Sequence, residues 1–162
     1  MHRYFTRSLP APDMKLILLA GLGGVLAIAA LRLMSDSAHM PLIMAPFGAS
    51  CVLLFAVPGS PLSQPANVVG GHVVTTLVGL IMRLWLPDDW WALAFAVGLA
   101  IAVMVALRVT HPPAGANPLV VFATDPGFGF LVLPVLAGSL FLVALAVTFH
   151  RLTGQAYPQG RS

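Results

Sequence analysis

The sequence predicts an all-α polytopic membrane protein, with four long transmembrane helices and two short Pro-Gly-Ala half-helices arranged as two internal repeats offset by about 67 residues. Three observations lead to this fold class: the composition, the lengths of the apolar runs, and a phrase that occurs twice. Of the 162 residues, 59% are hydrophobic and only 8% are charged. Such a chain cannot cover itself with a water-facing surface, so we expect it in a bilayer.

The apolar runs set the expected spans. A helix needs roughly 20 residues to cross about 30 Å of hydrocarbon, and four runs come close to that length. They cover residues 16–34, 68–86, 90–109 and 130–149. Two shorter apolar pieces occupy residues 42–57 and 114–123. We therefore divide the chain into a polar N-terminal segment (1–14), a transmembrane domain (15–150, with halves 15–86 and 90–150) and a polar C-terminal tail (151–162).

A repeated phrase links the two shorter pieces. "MAPFGASCVLLFAVPGSP" occupies residues 44–61, and "HPPAGANPLVVFATDPGF" occupies residues 111–128. Setting Pro46 on Pro113 places Ser50 on Asn117 and aligns four more identical pairs: Gly48/Gly115, Ala49/Ala116, Phe55/Phe122 and Ala56/Ala123. The same offset places Gly71 on Gly138. We interpret this as an internal repeat, which is common in transporters, although Gly, Ala and Leu also recur by chance in membrane chains.

The orientation of the two halves stays open at this level. If the short pieces cross the bilayer, each half has three spans and the halves are inverted. If the short pieces enter and leave on one side, each half has two spans and the halves are parallel. With the amino terminus inside, six crossings leave Arg32 and Arg83 outside and four crossings leave Arg32 and Arg108 outside, so the positive-inside rule does not decide between the two arrangements.

The prolines of the second phrase predict a helix start inside the membrane. A Pro pair cannot lie within a helix but suits its first turn, so we expect a helix from Pro113 through Asn117. Its first N–H groups have no helical partner and must face water, protein or a bound anion. Two such starts, one per half, would balance about one monovalent anion.

The candidate anion-binding residues come first from the two phrases. They are Pro46, Gly48, Ala49, Ser50, Pro112, Pro113, Gly115, Ala116 and Asn117. The small residues would let an anion approach the backbone, and Ser50 and Asn117 would add neutral donors. The alternative is that Pro and Gly only kink the helices, while Ser50 and Asn117 bond locally to backbone.

A polar stretch before the second long run adds further candidates. "SPLSQPANVVGGH" at residues 60–72 brings Gln64, Asn67 and His72 to the start of an apolar span, where polar groups are often functional. His72 and His111 can exchange protons near neutral pH, or each can clamp two helices by a hydrogen bond. We expect neither a metal nor a cofactor, because the histidines share no helical ligand spacing and no carboxylate accompanies them. The histidines concerned are His39, His72, His111 and His150.

Two other patterns concern the surface. Arg83 and Arg108 lie near the ends of long runs, where they are expected to snorkel, or alternatively to form an electrostatic funnel for anions. Small residues recur every four positions at Ala94, Gly98, Ala102 and Ala106, a stripe typical of close helix packing within a chain or between copies. Since one copy has few helices to enclose a path, we expect a homo-oligomer, a dimer or trimer.

Three motifs together resemble the HPP family of integral membrane proteins. They are "APFGAS" at 45–50, "SQPANVVGGH" at 63–72 and "THPPAGANPL" at 110–119, which contains the His-Pro-Pro triplet that names the family. The likeness covers about residues 15–150. The family is described as having four membrane-spanning helices, and some members in plastids and cyanobacteria are associated with nitrite transport. The resemblance thus implies a transporter or channel for nitrite or a similar small anion in a bacterial inner membrane.

The chain departs from the family pattern at two places. Many relatives have Gly-Gly-Ala after the Pro pair, where this chain has Ala114, Gly115 and Ala116. Asn117 and Pro118 follow where small or hydroxyl residues are frequent in the family. We therefore expect that the selectivity of this chain can differ from that of its relatives.

Two other classes of function are weighed beside transport. A membrane-embedded assembly subunit would use the polar stretch and the small-residue stripe to dock a partner. An intramembrane enzyme is the weakest option, because the sequence offers no nucleophile with a paired base and Asp125 has no acidic neighbour. The formal charge of +3 is carried mostly by the chain ends, which suits contact with lipid headgroups and indicates no nucleic-acid partner.

Overall fold

The computed structural model describes residue 7, residues 10–38 and residues 42–159, and these fold into helices and connecting turns without a strand. We number six α-helices in chain order. They are α1 (Met14–Ala38), α2 (Ala45–Cys51), α3 (Pro65–Trp85), α4 (Trp90–Ala106), α5 (Asn117–Thr124) and α6 (Ala137–Thr153). A π-helical turn (Val52–Ala56) continues α2, and another (Leu131–Leu136) leads into α6. The expected all-helical architecture is confirmed.

Among the described residues, three helices are long and apolar enough to cross a membrane, and they cover Met14–Ser37, Pro65–Trp85 and Leu131–Thr153. The run expected at 90–109 forms a shorter helix, Trp90–Ala106, whose 17 residues span about 25 Å. It ends early because Arg108 adopts a left-handed backbone conformation with φ 61°. The apolar piece Ala45–Ala56 is shorter still.

The second phrase begins as a 3-10 turn rather than as the expected α-helix. The turn covers Pro112–Ala116, and the α-helix starts only at Asn117. Pro118 explains the difference, because it lacks the N–H that an α-helix through this segment would bond to the Ala114 carbonyl. With α5 starting at Asn117, Pro118 lies in the first helical turn, where that N–H has no helical partner.

Successive helices alternate in direction, as the contacts in the first half show. The Ser35 hydroxyl, near the end of α1, accepts a hydrogen bond from the N–H of Leu42, just before α2. Gly23, earlier in α1, lies against Phe55 beyond the end of α2. On α3, His72 bonds to Ser50 of α2, and Ser63, just before α3, donates to the Leu53 carbonyl, just after α2. These contacts show that α1 and α3 run in one direction and α2 in the opposite direction.

The second half continues the alternation. Gly71, early in α3, faces Met104 late in α4, so these two helices are antiparallel. α5 runs parallel to α3, since Asn117 at its start bonds to His72 and Asp125 after its end pairs with Arg83. α6 runs in the direction of α2, because Gly138 lies against Phe47 and His150 bonds to the Leu54 carbonyl.

The main core lies between α1, α2 and α6. Phe47, Leu54 and Phe55 of the first phrase are fully or almost fully buried there, together with Leu31 of α1 and Leu142 of α6. A second, smaller cluster joins Ala92 and Ala96 of α4 to Phe122 of α5. Each phrase therefore supplies a phenylalanine side chain to a different core, which fixes both short segments within the bundle.

The C-terminal segment packs onto the bundle, although the sequence indicated a polar tail. Tyr157 is buried, and its hydroxyl donates to the Ser63 carbonyl at 2.9 Å. Burial raises the pKa of the Tyr157 phenol, so this hydroxyl stays a donor at physiological pH. The N–H of Gln159 donates to the Gln64 side-chain oxygen at 2.8 Å. The segment thus closes over the turn that leads into α3.

Candidate functional site

Four polar side chains from separate elements meet in the interior of the bundle. Ser50 comes from α2, His72 from α3, His111 from the segment after α4, and Asn117 from the start of α5. All four are fully buried. We call these four residues the polar network. The sequence singled out each of them, and the fold brings them together.

Ser50 joins the two imidazoles. Its hydroxyl oxygen lies 2.9 Å from Nε2 of His72 and 2.8 Å from Nε2 of His111. The same hydroxyl also lies 3.2 Å from the Pro46 carbonyl, one helical turn earlier. The rings of His72 and His111 make an edge contact with centroids 5.1 Å apart, and the Phe47 ring makes an edge contact with His72 at 5.2 Å. A single hydroxyl thus bridges two helices and a loop.

The partners of the outer ring nitrogens set the direction of these hydrogen bonds. Nδ1 of His111 lies 2.8 Å from the Leu62 carbonyl, which only accepts, so Nδ1 carries the proton. In the neutral ring, Nε2 of His111 then accepts the proton of the Ser50 hydroxyl. Ser50 has no second proton to give, so Nε2 of His72 must donate to its oxygen.

Asn117 completes the network on the other side of His72. Its Nδ2 lies 3.0 Å from Nδ1 of His72, and also contacts the hydroxyls of Thr75 at 3.1 Å and Thr76 at 2.9 Å. Sequence reasoning missed both threonines. The signal was present, since they follow His72 by three and four residues and therefore share its helix face.

The network lies well inside the membrane domain. His72 is roughly 10 Å and Thr76 roughly 16 Å from the start of α3, at 1.5 Å per residue, and the whole helix is about 32 Å long. The bonded side chains thus lie between one third and one half of the way along a helix long enough to cross the membrane.

A groove of about 490 Å³ separates the two phrases on the surface of the bundle. Its walls contain three pairs of residues that are equivalent in the repeat, together with Leu119, Val120 and Ala123 of α5. The pairs are Ala45/Pro112, Pro46/Pro113 and Ala49/Ala116. Ala49 and Ala116 directly precede Ser50 and Asn117 in the chain, so the polar network lies immediately behind the groove.

The backbone donors at the second helix start are largely used within the chain. The N–H of Ala114 donates to the His111 carbonyl at 2.9 Å, and the N–H of Asn117 donates to the Ala114 carbonyl. Of the three partners expected for these donors, the N–H groups of Ala114 and Asn117 therefore have protein, and they are not left free for an anion. Gly48 and Gly115 remain open, since a side chain added at either would meet nothing within 4 Å.

Gln64 and Asn67 do not join the network. The Gln64 amide donates to the carbonyls of Pro58 and Ser60, at 3.0 and 2.9 Å. The Asn67 amide donates to the Thr110 carbonyl at 2.9 Å, which ties α3 to the segment before His111. Both side chains brace turns at the end of the molecule where α3 begins.

The structure pairs Ser50 with a base, although the sequence offered no such pair. The fold places Nε2 of His111 2.8 Å from the Ser50 oxygen. The two residues lie far apart in the sequence, so the sequence alone did not reveal the pair. Ser50 nevertheless is fully buried and lines neither the groove between the phrases nor the cavity between the α1 start and Gln155. The pair is therefore enclosed by protein in this structure.

The charged residues near the ends of the bundle are held by partners or lie at the surface. Arg83 pairs with Asp125 at 3.2 Å and lies over the Phe122 ring, while Arg108 is exposed. Asp89 caps α4 by accepting from the N–H of Trp90 at 2.7 Å. Since Arg83 has an acidic partner, its charge offers less attraction to a passing anion than a free guanidinium.

α4 packs within the chain by a different stripe from the one the sequence singled out. Its buried residues are Ala92, Ala96, Ala100 and Met104. The stripe of Ala94, Gly98, Ala102 and Ala106 is exposed instead. Within the described part of the chain, no helix packs against Gly98 of this exposed stripe, and a carbon added at Gly98 would meet nothing within 4 Å.

The described residues contain no group of three or more His, Cys or acidic side chains able to hold a metal ion. The Ser50 hydroxyl connects His72 and His111 by hydrogen bonds, while His150 bonds to the Leu54 carbonyl. His39, the remaining candidate, lies outside the described residues.

Comparison with known proteins gives a family match. A model of the HPP transmembrane region matches residues 9–158. A transmembrane protein of Dictyostelium discoideum is 33% identical, over 92% of this chain and 57% of the relative. Another transmembrane protein of that organism is 40% identical, over 65% of this chain and 36% of the relative. The chain thus spans just over half the length of the first relative and about a third of the second. No solved structure matches the chain.

Proposed function

The chain belongs to the HPP transmembrane family, and from that membership we propose that it is a transporter or channel for a small monovalent anion, with nitrite as the first substrate to test. One observation carries the proposal. The two phrases meet at a groove lined by equivalent small residues, with buried polar side chains directly behind it. Polar groups within a membrane domain commonly mark a transport path.

In this proposal the anion lies between the two phrases. Pro46, Ala49, Pro113 and Ala116 form its walls, with Pro112 at the rim. The beginnings of α2 and of the 3-10 turn border the groove, and the partial positive charge of a helix start favours an anion there. Apolar walls with few donors hold an ion weakly, which allows its release.

The remaining candidate residues have supporting places in this proposal. At Gly48 and Gly115, no side chain covers the backbone near the groove, and there is free space beside it. Ser50, His72, His111 and Asn117 supply donors when their mutual hydrogen bonds rearrange. Gln64 and Asn67 hold the turns at the end of the bundle through which the anion would enter or leave.

We also propose that the halves 15–86 and 90–150 are inverted repeats, with α4 as a fourth membrane-spanning helix. The alternating helix directions support this arrangement, because α1 to α3 and α4 to α6 then run in opposite senses. Reciprocal contacts support it too. Gly71 of the first half faces Val109 of the second, and Gly138 of the second faces Leu42 of the first.

The proposed assembly is a homo-oligomer, a dimer or trimer, in a bacterial inner membrane. The exposed stripe around Gly98 is a surface at which α4 of another copy can approach closely. The proposed partners are the anion, lipids and other copies, without nucleic acid. We propose transport and not catalysis, because the hydrogen-bonded Ser50–His111 pair is fully buried and neither residue lines the groove between the phrases.

The same exposed stripe favours one second candidate, a membrane-embedded assembly subunit without transport activity. In that case α4 would dock a helix of a different protein. Copurification of a second protein in fixed stoichiometry, together with an absence of anion flux, would favour this candidate over the transporter.

Nitrite flux into proteoliposomes tests the proposed function. The purified protein is reconstituted, and nitrite uptake is compared with that of vesicles lacking it. We expect protein-dependent uptake that falls in His111→Ala and Asn117→Ala, which disrupt the network behind the groove. An absence of protein-dependent flux for nitrite, nitrate, formate and chloride would contradict the proposal.

A matched pair of variants locates the path. Ala49→Leu places a larger side chain in the groove, and Ala29→Leu makes the same change on the exposed surface of α1. We expect at least a tenfold loss of uptake for Ala49→Leu and none for Ala29→Leu. Equal uptake by both variants would exclude the groove as the path.

A further inference from the structure

We propose that Asn117, His72, Ser50 and His111 form a relay for a single proton, and that the protein moves a proton together with its anion. The inference rests on the proposed function, because it names what accompanies the anion. Its basis is an unbroken line of hydrogen bonds from the Asn117 amide to the Leu62 carbonyl.

In the neutral state, every hydrogen bond of the relay points the same way. Asn117 donates to Nδ1 of His72, and Nε2–H of His72 donates to the Ser50 oxygen. The Ser50 hydroxyl donates to Nε2 of His111, whose Nδ1–H donates to the Leu62 carbonyl. The two rings thus hold opposite tautomers, His72 with its proton on Nε2 and His111 with its proton on Nδ1.

An added proton can pass along this line with every atom accounted for. A proton that binds Nδ1 of His72 makes that ring cationic. The Nε2 proton of His72 then moves to the Ser50 oxygen while the Ser50 proton moves to Nε2 of His111. His72 is now neutral with its proton on Nδ1, and His111 is cationic. His111 then gives its Nδ1 proton to a water molecule that takes the place of the Leu62 carbonyl, which completes the passage of one proton with no change in oxidation state.

Asn117 can serve both protonation states of His72. Its Nδ2 lies 3.0 Å and its Oδ1 lies 3.3 Å from Nδ1 of His72. When Nδ1 is unprotonated, Nδ2 donates to it; when Nδ1 is protonated, Oδ1 accepts from it. The Thr75 and Thr76 hydroxyls accept from Nδ2 in the second case, so the amide keeps its partners. Thr75 in turn donates to the Gly71 carbonyl at 2.8 Å.

Burial links this proton to the anion. A buried cation without a counter-charge is strongly disfavoured. Among the described residues, no acidic side chain bonds to either ring. The carboxylate of Asp125 pairs with Arg83, beyond the far end of α5. A monovalent anion in the adjoining groove supplies the missing charge, so each of the two ions favours the uptake of the other.

Among the described residues, the other titratable groups on the elements around the relay are bonded elsewhere, lie at the surface or form no hydrogen bond with the rings. α2 carries the buried thiol of Cys51 directly after Ser50. α6 carries His150, whose Nε2 bonds to the Leu54 carbonyl. The segment before His111 carries the exposed Arg108. None of these side chains forms an ion pair with a ring of the relay among the described contacts.

The first test follows protons and nitrite in the same vesicles. An inward nitrite gradient is imposed on proteoliposomes that contain a pH-sensitive dye, and vesicles without protein correct for passive nitrous acid entry. We expect the lumen to acidify by one proton for each nitrite taken up through the protein. Protein-dependent nitrite uptake without added acidification would overturn the relay and leave the proposed function standing.

Ser50→Ala breaks the bridge between the rings, and Ser139→Ala is its matched control. Ser139 is equally buried, and within the described part of the chain its hydroxyl bonds to the Leu136 carbonyl alone. We expect Ser50→Ala to lose at least tenfold in proton movement, Ser50→Thr to recover it through its hydroxyl, and Ser139→Ala to keep it. Proton movement that persists in Ser50→Ala would contradict the relay.

A spectroscopic test does not depend on transport. Nitrogen-15 NMR of histidine-labelled protein in lipid, with signals assigned through His72→Gln and His111→Gln, reports the tautomer of each ring. We expect opposite tautomers, with the proton on Nε2 of His72 and on Nδ1 of His111. The same tautomer in both rings would overturn the relay. This outcome is independent of anion flux, so the relay and the proposed function can fail separately.

Discussion

Gly71 and Gly138 each lie against a backbone carbonyl in the other half of the molecule. A methyl group added at Gly71 would lie 3.0 Å from the Val109 carbonyl oxygen, and one added at Gly138 would lie 3.3 Å from the Leu42 carbonyl oxygen. The offset that pairs Gly71 with Gly138 also pairs Leu42 with Val109. α3 carries Gly71 and α6 carries Gly138. Each of these helices thus packs closely against the segment just before a phrase, α3 against Val109 and α6 against Leu42.

Gly71→Ala is expected to destabilise the protein. The added carbon would lie 2.8 Å from the His111 side chain as well as against the Val109 carbonyl, and neither group is the end of a flexible side chain. Overpacking of this kind costs about 1–3 kcal/mol. We expect a lower thermal unfolding midpoint in detergent, measured by the fluorescence of the tryptophans.

Gly21→Ala provides the control for that change. Gly21 lies on the exposed surface of α1 with nothing within 4 Å of the added carbon, and alanine favours a helix over glycine by about 1 kcal/mol. Its midpoint is expected to stay equal or rise. If Gly71→Ala unfolds no earlier than Gly21→Ala, the close approach between α3 and the segment before His111 is not required.

Gly48→Val and Gly115→Val are expected to block transport while the protein stays folded. Both glycines are open, since an added Cβ meets nothing within 4 Å, yet a valine side chain covers backbone beside the groove. We expect unfolding midpoints close to that of Gly21→Val and at least a tenfold loss of nitrite uptake. Uptake equal to that of Gly21→Val would show that the backbone at these positions takes no part.

Much of the helical architecture could be predicted from the sequence, because length and apolarity decide which segments enter a bilayer. The starts of α2 and α3 follow from Pro46 and Pro65, which suit a first helical turn. The early end of α4 could not be predicted. It depends on the left-handed conformation of Arg108, a residue type that carries no turn signal.

The site was predictable as a set of residues but not as a set of contacts. Proline, glycine and isolated polar residues in an apolar chain mark Ser50, His72, His111 and Asn117. Their hydrogen bonds join residues separated by 22 to 61 positions, and no local pattern states which nitrogen faces which hydroxyl. Helix packing decides this, and it also decides that Gln64 bonds to backbone carbonyls outside the network.

Tyr157 is expected to contribute to stability from outside the membrane-spanning helices. Tyr157→Phe removes the hydrogen bond to the Ser63 carbonyl, at a cost of about 1 kcal/mol. Tyr157→Ala also empties a buried aromatic site, at a cost of about 3–5 kcal/mol. Chemical denaturation in detergent should rank the midpoints as wild type, then Phe, then Ala. Three equal midpoints would mean that this segment is not docked in solution.

Gly98 is expected to lie at a contact between copies of the chain. α4 already buries Ala92, Ala96 and Ala100 within one copy, so the stripe of Ala94, Gly98, Ala102 and Ala106 faces outward. Small residues let two helix backbones approach closely in lipid, where no hydrophobic effect drives association and packing must supply the attraction. Gly98→Leu should hold the helices apart and reduce the crosslinked dimer or trimer in vesicles by several fold.

Ala29→Leu controls for the added bulk, because it makes a similar change on the exposed surface of α1. It is expected to leave the crosslinked species unchanged. Loss of crosslinking in both variants would indicate general disturbance of the bundle, and retention in both would place the contact elsewhere. Nitrite uptake by Gly98→Leu then separates two roles of the oligomer: uptake that persists in a monomer places the path within one copy, as the groove between the two phrases requires, and uptake that is lost with the oligomer places the path between copies.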